Sequence, residues 1–207
     1  RDPNTVALTC TNAQSAAINQ EELDNLPGQP RIYEGKITGK FGSNKDSNLP
    51  VPYQLEVKEN ARVMFRKNDS AKRWVNGSLG TIRKLHDDSI AVEIDGSERK
   101  IVTVERETWE KCQYKWSESQ NKIVKEIIGT YTQYPLQLAW AFTIHKAQGL
   151  TLPSAHIDLG NGAFAEGQTY VALSRCRKAS DITLERPLYT SDVKTDKTVL
   201  RFYDSLV

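Results

Sequence analysis

The polar residues best suited to hold a phosphate group lie at the end of an apolar run, in the segment 143–152. Its sequence, TIHKAQGLTL, predicts that a helix of about 139–148 turns polar in its last turn and stops at Gly149. His145, Lys146 and Gln148 would then lie together beside exposed backbone, where the lysine supplies charge and hydroxyl and amide groups supply directed hydrogen bonds. The alternative is an ordinary helix end, with Lys146 placed favourably against the helix dipole.

A second segment, 167–177, contains an arginine that could act on a nucleotide. The pattern predicts a helix in which Tyr170 is a plausible core contact and the guanidinium of Arg175 can reach a neighbouring surface. Arginine suits bidentate contact with phosphate, and an inserted arginine stabilises charge on the phosphoryl group during nucleotide hydrolysis. The alternative is a surface arginine that pairs with an acid such as Asp181 or Glu185.

A third candidate is a basic loop with one aromatic residue, at 66–74. Basic residues beside an aromatic ring can follow a nucleic-acid backbone and stack a base, which is worth about 1–3 kcal/mol per base. Because Trp74 comes just before the turn predicted at Asn76-Gly77, we favour a solvated hairpin with Trp74 in the core. Three later aromatic residues could equally belong to the core of the middle domain or to its boundary: Trp109, Tyr114 and Trp116.

The elements that must position these segments alternate between strand and helix at both ends of the chain. Residues 5–9 favour a strand, and Thr11 with Gln14 forms a capping-box pattern before a helix. The later elements of the same character are strands at 155–159 and 182–185 and a closing helix at 195–206. Strands that alternate with helices imply a parallel sheet, so the two ends would build one α/β layer.

The middle of the chain has a different character. Three runs that favour strands, at 81–85, 90–94 and 100–104, are separated by turn dipeptides. Short strands at this spacing indicate a small antiparallel barrel. We therefore predict the first part of an α/β domain at 1–56, an inserted barrel at 57–132 and the second part of the α/β domain at 133–207.

Composition limits the possible functions without naming one. The 207 residues have a net charge of only +2, so nucleic-acid binding would depend on local patches. The three cysteines form no CxxC pair and do not cluster with the three histidines, so we expect no metal site and favour a reducing, cytoplasmic compartment. The longest apolar run, 136–144, is far shorter than the roughly 20 residues that span a bilayer, so no membrane segment is expected.

Two segments, in this order along the chain, resemble motifs V and VI of superfamily 1 DNA helicases: AFTIHKAQGLT at 141–151 and YVALSR at 170–175. The branch they resemble is the RecD-like one that includes the PIF-type enzymes. The segments 61–64 and 75–80 resemble the same family, and the middle strands resemble the Src-homology-3-like insert of some helicases. The resemblance spans nearly the whole chain and implies a RecA-like parallel sheet with helices on both faces, interrupted by a small antiparallel β-barrel.

The resemblance also implies a role for each matching position. Arg175 would be an arginine finger directed at the γ-phosphate of ATP, with Gly149 and Thr151 near the nucleotide and Gln168 supporting the finger. The residues that would contact the backbone of single-stranded DNA are Thr11, Asn12, Thr143, His145 and Lys146. The chain would then be the C-terminal half of an ATP-dependent DNA helicase.

A helicase of this type also needs a phosphate-cradling loop, GxxxxGKS/T, and a following acidic pair for magnesium at the end of a strand. The loop is absent, and Asp158, at the end of the strand predicted at 155–159, is followed by no second acid. The nearest segment, 35–41, has one residue too few between its glycines and lacks the hydroxyl. ATP with Mg2+ would therefore be bound mainly by an N-terminal RecA-like domain of the same parent protein, and this chain, which we expect to be monomeric, would not hydrolyse ATP alone.

The start at Arg1 without a methionine favours a piece cut from something longer. The alternative functions are a stand-alone nucleic-acid-binding module without motor activity, and a domain whose barrel binds another protein.

Overall fold

The computed structural model describes residues 5–44, 48–96, 99–118 and 121–206. The chain is α/β and divides into two compact units, one formed by residues 1–25 with 139–207 and the other by residues 26–138. The second unit extends beyond the predicted limits of 57 and 132, because strands before residue 57 and after residue 132 pair with its sheets.

In chain order, the elements are β1 (Val6–Thr9), α1 (Asn12–Asn25), β2 (Arg31–Glu34), β3 (Lys36–Gly39), β4 (Gln54–Val57), β5 (Arg62–Phe65), β6 (Leu79–Leu85), β7 (Ile90–Ile94), β8 (Ile101–Val104), β9 (Glu107–Ser117), β10 (Lys122–Gln133), β11 (Leu136–Leu138), β12 (Ala141–Thr143), β13 (Ala155–Asp158), α2 (Gln168–Leu173), β14 (Ile182–Leu184) and α3 (Lys197–Asp204). Two short 3-10 helices lie at Ala179–Asp181 and Thr190–Asp192.

The first unit is built on a four-stranded parallel sheet with the order β12-β1-β13-β14. Strands β1 and β12 are buried along their whole length, as expected for a parallel sheet covered on both faces. Helix α1 begins as predicted: the Thr11 hydroxyl accepts a hydrogen bond from the backbone N–H of Gln14 and donates one to the Gln14 side chain. The parallel sheet predicted from the two chain ends is therefore confirmed.

The helix predicted at 139–148 is wrong. Residues Ala141–Thr143 form β12, an edge strand parallel to β1, and residues 144–149 form a series of turns. The reason is that a short apolar run fits a buried strand as well as a buried helix, and periodicity cannot separate the two. Gly149, where the helix was predicted to stop, has a left-handed backbone with φ of +81°, and α2 covers only the first part of the helix predicted at 167–177.

The second unit consists of antiparallel sheets. A five-stranded sheet has the order β11-β5-β6-β7-β8, a three-stranded sheet the order β3-β10-β9, and β2 pairs with β4. The strands predicted at 81–85, 90–94 and 100–104 correspond to β6, β7 and β8. The rejected phosphate-loop segment contains β3, where Gly39 has φ of +58° and a Cβ would lie 2.4 Å from the carbonyl oxygen of Ile128. Gly39 therefore allows β3 to pack closely against β10.

The aromatic residues of the second unit have two different environments. Trp74 is only 5% exposed, stacks on Phe65 with ring centroids 4.5 Å apart, and donates from Nε1 to the Lys67 carbonyl, so the core position that we favoured for it is confirmed. Tyr114 and Trp116, by contrast, are exposed on the hairpin formed by β9 and β10, and are not core residues.

The described residues include no helix that is both long and apolar enough to cross a membrane. Within the same ranges, no group of three or more His, Cys, Asp or Glu side chains is arranged to hold a metal ion.

Candidate nucleic-acid and nucleotide surface

The parallel sheet of the first unit brings several predicted residues to one edge. Because all four strands are parallel, their carboxyl ends meet at the same edge, where open α/β sheets bind ligands. Thr11 and Asn12 follow β1, while His145 and Lys146 follow the neighbouring strand β12, and all four are exposed. The fifth predicted DNA contact, Thr143, does not share this property: it is only 5% exposed, because it is the last residue of the buried strand β12.

The edge strand β12 is held by a side chain of α1 that takes the place of a further strand. Asn19 donates from Nδ2 to the carbonyl oxygen of Ala141 (2.7 Å), and its Oδ1 accepts from the N–H of the same residue (2.9 Å). On the other side of β12, Ala7 of β1 donates to the carbonyl of Trp140 (2.8 Å). Both sides of this short strand are therefore hydrogen-bonded, which fixes the position of the turn that follows it.

The turn after β12 is anchored by its apolar residues and presents its polar ones. Ile144 and Ala147 are buried, and the N–H of Ala147 donates to the carbonyls of Thr143 and Ile144. His145 and Lys146 lie between them and are exposed. The sequence prediction of a polar cluster beside exposed backbone thus describes this turn, although the backbone is not helical.

Arg175 lies against the same turn. Its Nη1 donates to the carbonyl of Leu150 (3.0 Å) and at longer range to that of Ala147 (3.4 Å), while its Nε donates to Val171 (2.7 Å). Its Nη2 donates to the hydroxyl of Ser174 at 2.6 Å. Through the bonds to Ala147 and Leu150, the guanidinium faces the segment that contains Gly149. The residue is partly exposed, so it is not enclosed in the core.

The alternative view of Arg175, as one half of a surface ion pair, finds no support in the contacts of the two acids that the sequence offered as partners. Glu185 is bonded to His156 instead, with Nε2 and Oε2 2.8 Å apart, and Asp181 accepts from Ser180. Thr151, predicted to lie near the nucleotide, is exposed and contributes to an open pocket of about 420 Å³. The residues that line this pocket are Thr151, Leu152, Pro153, Arg177, Lys178 and Asp181.

Gln168 does not bond to Arg175, as a residue supporting the arginine would. It is buried at the start of α2, and its Oε1 accepts hydrogen bonds from the backbone N–H groups of Phe164 (3.0 Å) and Ala165 (3.3 Å). The reason is geometric: Gln168 is at the first turn of α2 and Arg175 lies beyond its last residue. Gln168 therefore orders the loop that precedes the helix.

An ion pair that the sequence did not indicate holds the same loop. Asp192 is buried and accepts from both Nη atoms of Arg186 (2.7 and 2.8 Å) and from the N–H of Tyr189, while its own carbonyl accepts from the Thr169 hydroxyl. Arg186 also donates from Nε to the carbonyl of Gly160, just after β13. The Arg186 guanidinium, followed by the Tyr189 N–H, holds the pKa of Asp192 well below its usual range.

This ion pair predicts a specific dependence of stability on pH. A carboxyl group whose pKa is lowered by folding contributes stability that is complete above its ordinary pKa of 3.8 and is lost as the pH falls below that value. Urea unfolding of the chain between about pH 5 and pH 2 should therefore show a steeper loss of unfolding free energy than the Asp192→Asn variant shows. A matched change at the exposed Asp204 should leave the slope unchanged; equal slopes for the wild type and Asp192→Asn would contradict the assignment.

Comparison with known proteins gives the same relationship as the two sequence motifs. No protein-family profile matches the sequence. The ATP-dependent DNA helicase PIF1 of Homo sapiens is 32% identical over 212 residues, a match that covers 100% of this chain and 31% of the human protein. The chain spans about a third of the length of the curated relatives it matches.

Solved structures extend the match to the fold. Unliganded Pif1 from Bacteroides sp superposes with a TM-score of 0.86 at 36% identity, covering 99% of this chain and 46% of that one. Bacteroides Pif1 bound to single-stranded DNA superposes with a TM-score of 0.76 at 36% identity, covering 97% and 45%. The first unit therefore has a RecA-like fold. The chain as a whole is related to the PIF-type branch of superfamily 1 helicases, as its two motifs indicated.

Proposed function

We propose that this chain is the second motor domain of an ATP-dependent DNA helicase, with its antiparallel domain inserted. In this role it supplies an arginine finger and contacts to single-stranded DNA. The observation that carries the proposal is the contact between Arg175 and the turn after β12. One short segment is bonded to the arginine through the carbonyls of Ala147 and Leu150 and exposes His145 and Lys146 at the sheet edge.

The hydrogen bonds of Arg175 suit a side chain that can exchange a protein partner for a nucleotide. Its Nη1 is bonded to neutral carbonyls, one of them at 3.4 Å. A guanidinium forms stronger, charge-assisted bonds with phosphate oxygens, so a γ-phosphate presented to it would replace the longer of these bonds. Loss of that phosphate after hydrolysis would return Arg175 to the carbonyls and shift the turn that holds the DNA strand.

ATP and Mg2+ would be held mainly by another domain. The phosphate loop and the acidic pair are absent from this sequence, and the relatives are three times as long and are named ATP-dependent DNA helicases. We place these groups on an N-terminal RecA-like domain of the parent protein. On this account the chain alone hydrolyses no ATP, acts as a monomer in the cytoplasm, and contributes Gly149, Thr151 and Arg175 to one side of the nucleotide cleft.

One observation favours a second candidate, a stand-alone nucleic-acid-binding module. The Nε, Nη1 and Nη2 atoms of Arg175 all have hydrogen-bond partners within the first unit, so the residue has a structural role even without a nucleotide. Such a module would bind single strands through Thr11, Asn12, His145 and Lys146 and would never stimulate ATP hydrolysis. ATPase activity after joining to the partner domain distinguishes the two.

The DNA-binding part of the proposal is tested by the salt dependence of binding. Each phosphate contact to a single strand adds about 0.7 to the slope of log affinity against log salt concentration. We expect Lys146→Ala to weaken binding to a labelled oligothymidylate, measured by fluorescence anisotropy, and to reduce that slope by about 0.7. Lys197→Ala, at an exposed position of α3, is the control and should change neither quantity. An unchanged slope in Lys146→Ala would exclude Lys146 as a phosphate contact.

A further inference from the structure

The loop between β13 and α2 presents an aromatic ring to solvent at the same sheet edge. Phe164 is 59% exposed, although its neighbour Ala163 is buried and anchors the loop. The ring lies beside His145, with ring centroids 6.2 Å apart and planes inclined by 37°. Two exposed rings from different loops, one after β12 and one after β13, therefore share one place on the surface.

The position of Phe164 is fixed by a buried amide. Gln168 is 3% exposed, and its Oε1 accepts from the N–H groups of both Phe164 and Ala165. These two donors determine which end of the amide faces the loop, because the opposite orientation would place N–H against N–H. The Nε2 atom is buried without a hydrogen-bond partner among the described residues. A buried amide nitrogen without a partner lowers the stability of the fold, so holding the loop through Gln168 costs folding free energy.

We propose that Phe164 and His145 form a platform on which a base of a single-stranded nucleic acid stacks, and that Gln168 is the residue that positions Phe164. This inference rests on the proposed function and adds to it a contact with the base, since the contacts assigned so far go to the backbone. Base stacking on aromatic rings is tolerant of sequence because every base has a π-face.

The surroundings of Phe164 favour a base over an apolar protein partner. Protein interfaces have a contiguous apolar centre, whereas the exposed residues that directly follow strands β12 and β1 at this edge are polar: His145 and Lys146, and Thr11 and Asn12. An exposed ring at an edge that also carries a lysine and hydroxyl and amide groups matches the combination of stacking and phosphate contact that single-strand-binding surfaces use.

The test compares variants of Phe164 on two strands, an oligothymidylate and the same strand with abasic sites throughout. We expect Phe164→Ala to lower the affinity for the oligothymidylate by about 5- to 150-fold. Phe164→Trp should retain the affinity, whereas Phe164→Leu, which is apolar but has no π-face, should behave like alanine. On the abasic strand, all four proteins should bind equally. The salt slope should be the same for all of them, because no charge has changed.

Gln168 is tested through its coupling to Phe164. Gln168→Met removes the amide at nearly constant volume and should lower the affinity for the oligothymidylate in the wild-type background, but not further in the Phe164→Ala background. Thermal melting confirms that each variant is folded. If Phe164→Ala binds the oligothymidylate as tightly as the wild type, or loses equal affinity on the abasic strand, the stacking platform is wrong while the proposed function stands. If the wild-type chain binds neither strand, the proposed function fails and the platform fails with it.

Discussion

Replacing Arg175 by alanine is expected to lower the turnover number of DNA-stimulated ATP hydrolysis by about 10³- to 10⁵-fold, which is the range for loss of an arginine finger. The chain must be joined to the ATP-binding domain of its parent for this assay, with hydrolysis followed by phosphate release. The effect arises because the guanidinium stabilises charge that is present on the phosphoryl group only in the transition state, so the turnover number should fall while the affinity for single-stranded DNA changes little.

The controls for Arg175 separate the loss of charge from the loss of local structure. Arg175→Gln keeps an N–H donor near the position of Nε, which bonds to the Val171 carbonyl, but it carries no charge and should be as inactive as the alanine variant. Arg201→Ala, at an exposed position of α3, should retain full activity. A turnover number for Arg175→Gln within about tenfold of the wild type, in a folded protein, would show that the residue does not act on the nucleotide.

Replacing Asn19 by leucine is expected to destabilise the first unit by roughly 2–6 kcal/mol, because it removes both partners of the Ala141 backbone at once and each unsatisfied group costs about 1–3 kcal/mol. Strand β12 would lose its outer support, so DNA binding through His145 and Lys146 should weaken as well. The measurement is chemical denaturation followed by circular dichroism. Gln20→Leu, at an exposed position of the same helix, is the control and should stay within about 0.5 kcal/mol of the wild type.

One result of the denaturation experiment on Asn19→Leu would contradict the role assigned to Asn19. If the variant unfolds at the same denaturant concentration as the wild type, then the two hydrogen bonds between α1 and Ala141 do not hold the edge strand. The turn after β12 would in that case depend only on the buried side chains of Ile144 and Ala147.

The elements that the sequence predicted correctly are those with local signals. The Thr11 and Gln14 cap needs only residues three apart, and β7 is a strand with turn residues on both sides, so both could be predicted from the chain itself. The error at 139–148 has the opposite cause. Whether that apolar run becomes a strand depends on its pairing with β1, more than 130 residues earlier, and on Asn19 of α1.

The residues of the candidate site also divide into those that the sequence could predict and those that depend on distant contacts. The two motifs identified His145, Lys146, Gly149 and Arg175, and the fold brings the arginine to the turn that carries the other three. The burial of Thr143 could not be predicted once the segment was assigned to a helix end. The backbone hydrogen bonds of two side-chain amides, those of Asn19 and Gln168, also could not be predicted. The sequence around an asparagine or glutamine does not show which backbone groups its amide will bond to.

The central claim, that this chain completes an ATP-hydrolysing site formed with another domain, is tested most directly by reconstitution. ATP hydrolysis would be measured for the chain alone, for the ATP-binding domain of its parent alone, and for the two joined, each with and without single-stranded DNA. Our account predicts that only the joined protein hydrolyses ATP and that DNA increases the rate. A joined protein that is folded and binds DNA but hydrolyses no more ATP than the ATP-binding domain alone would contradict it.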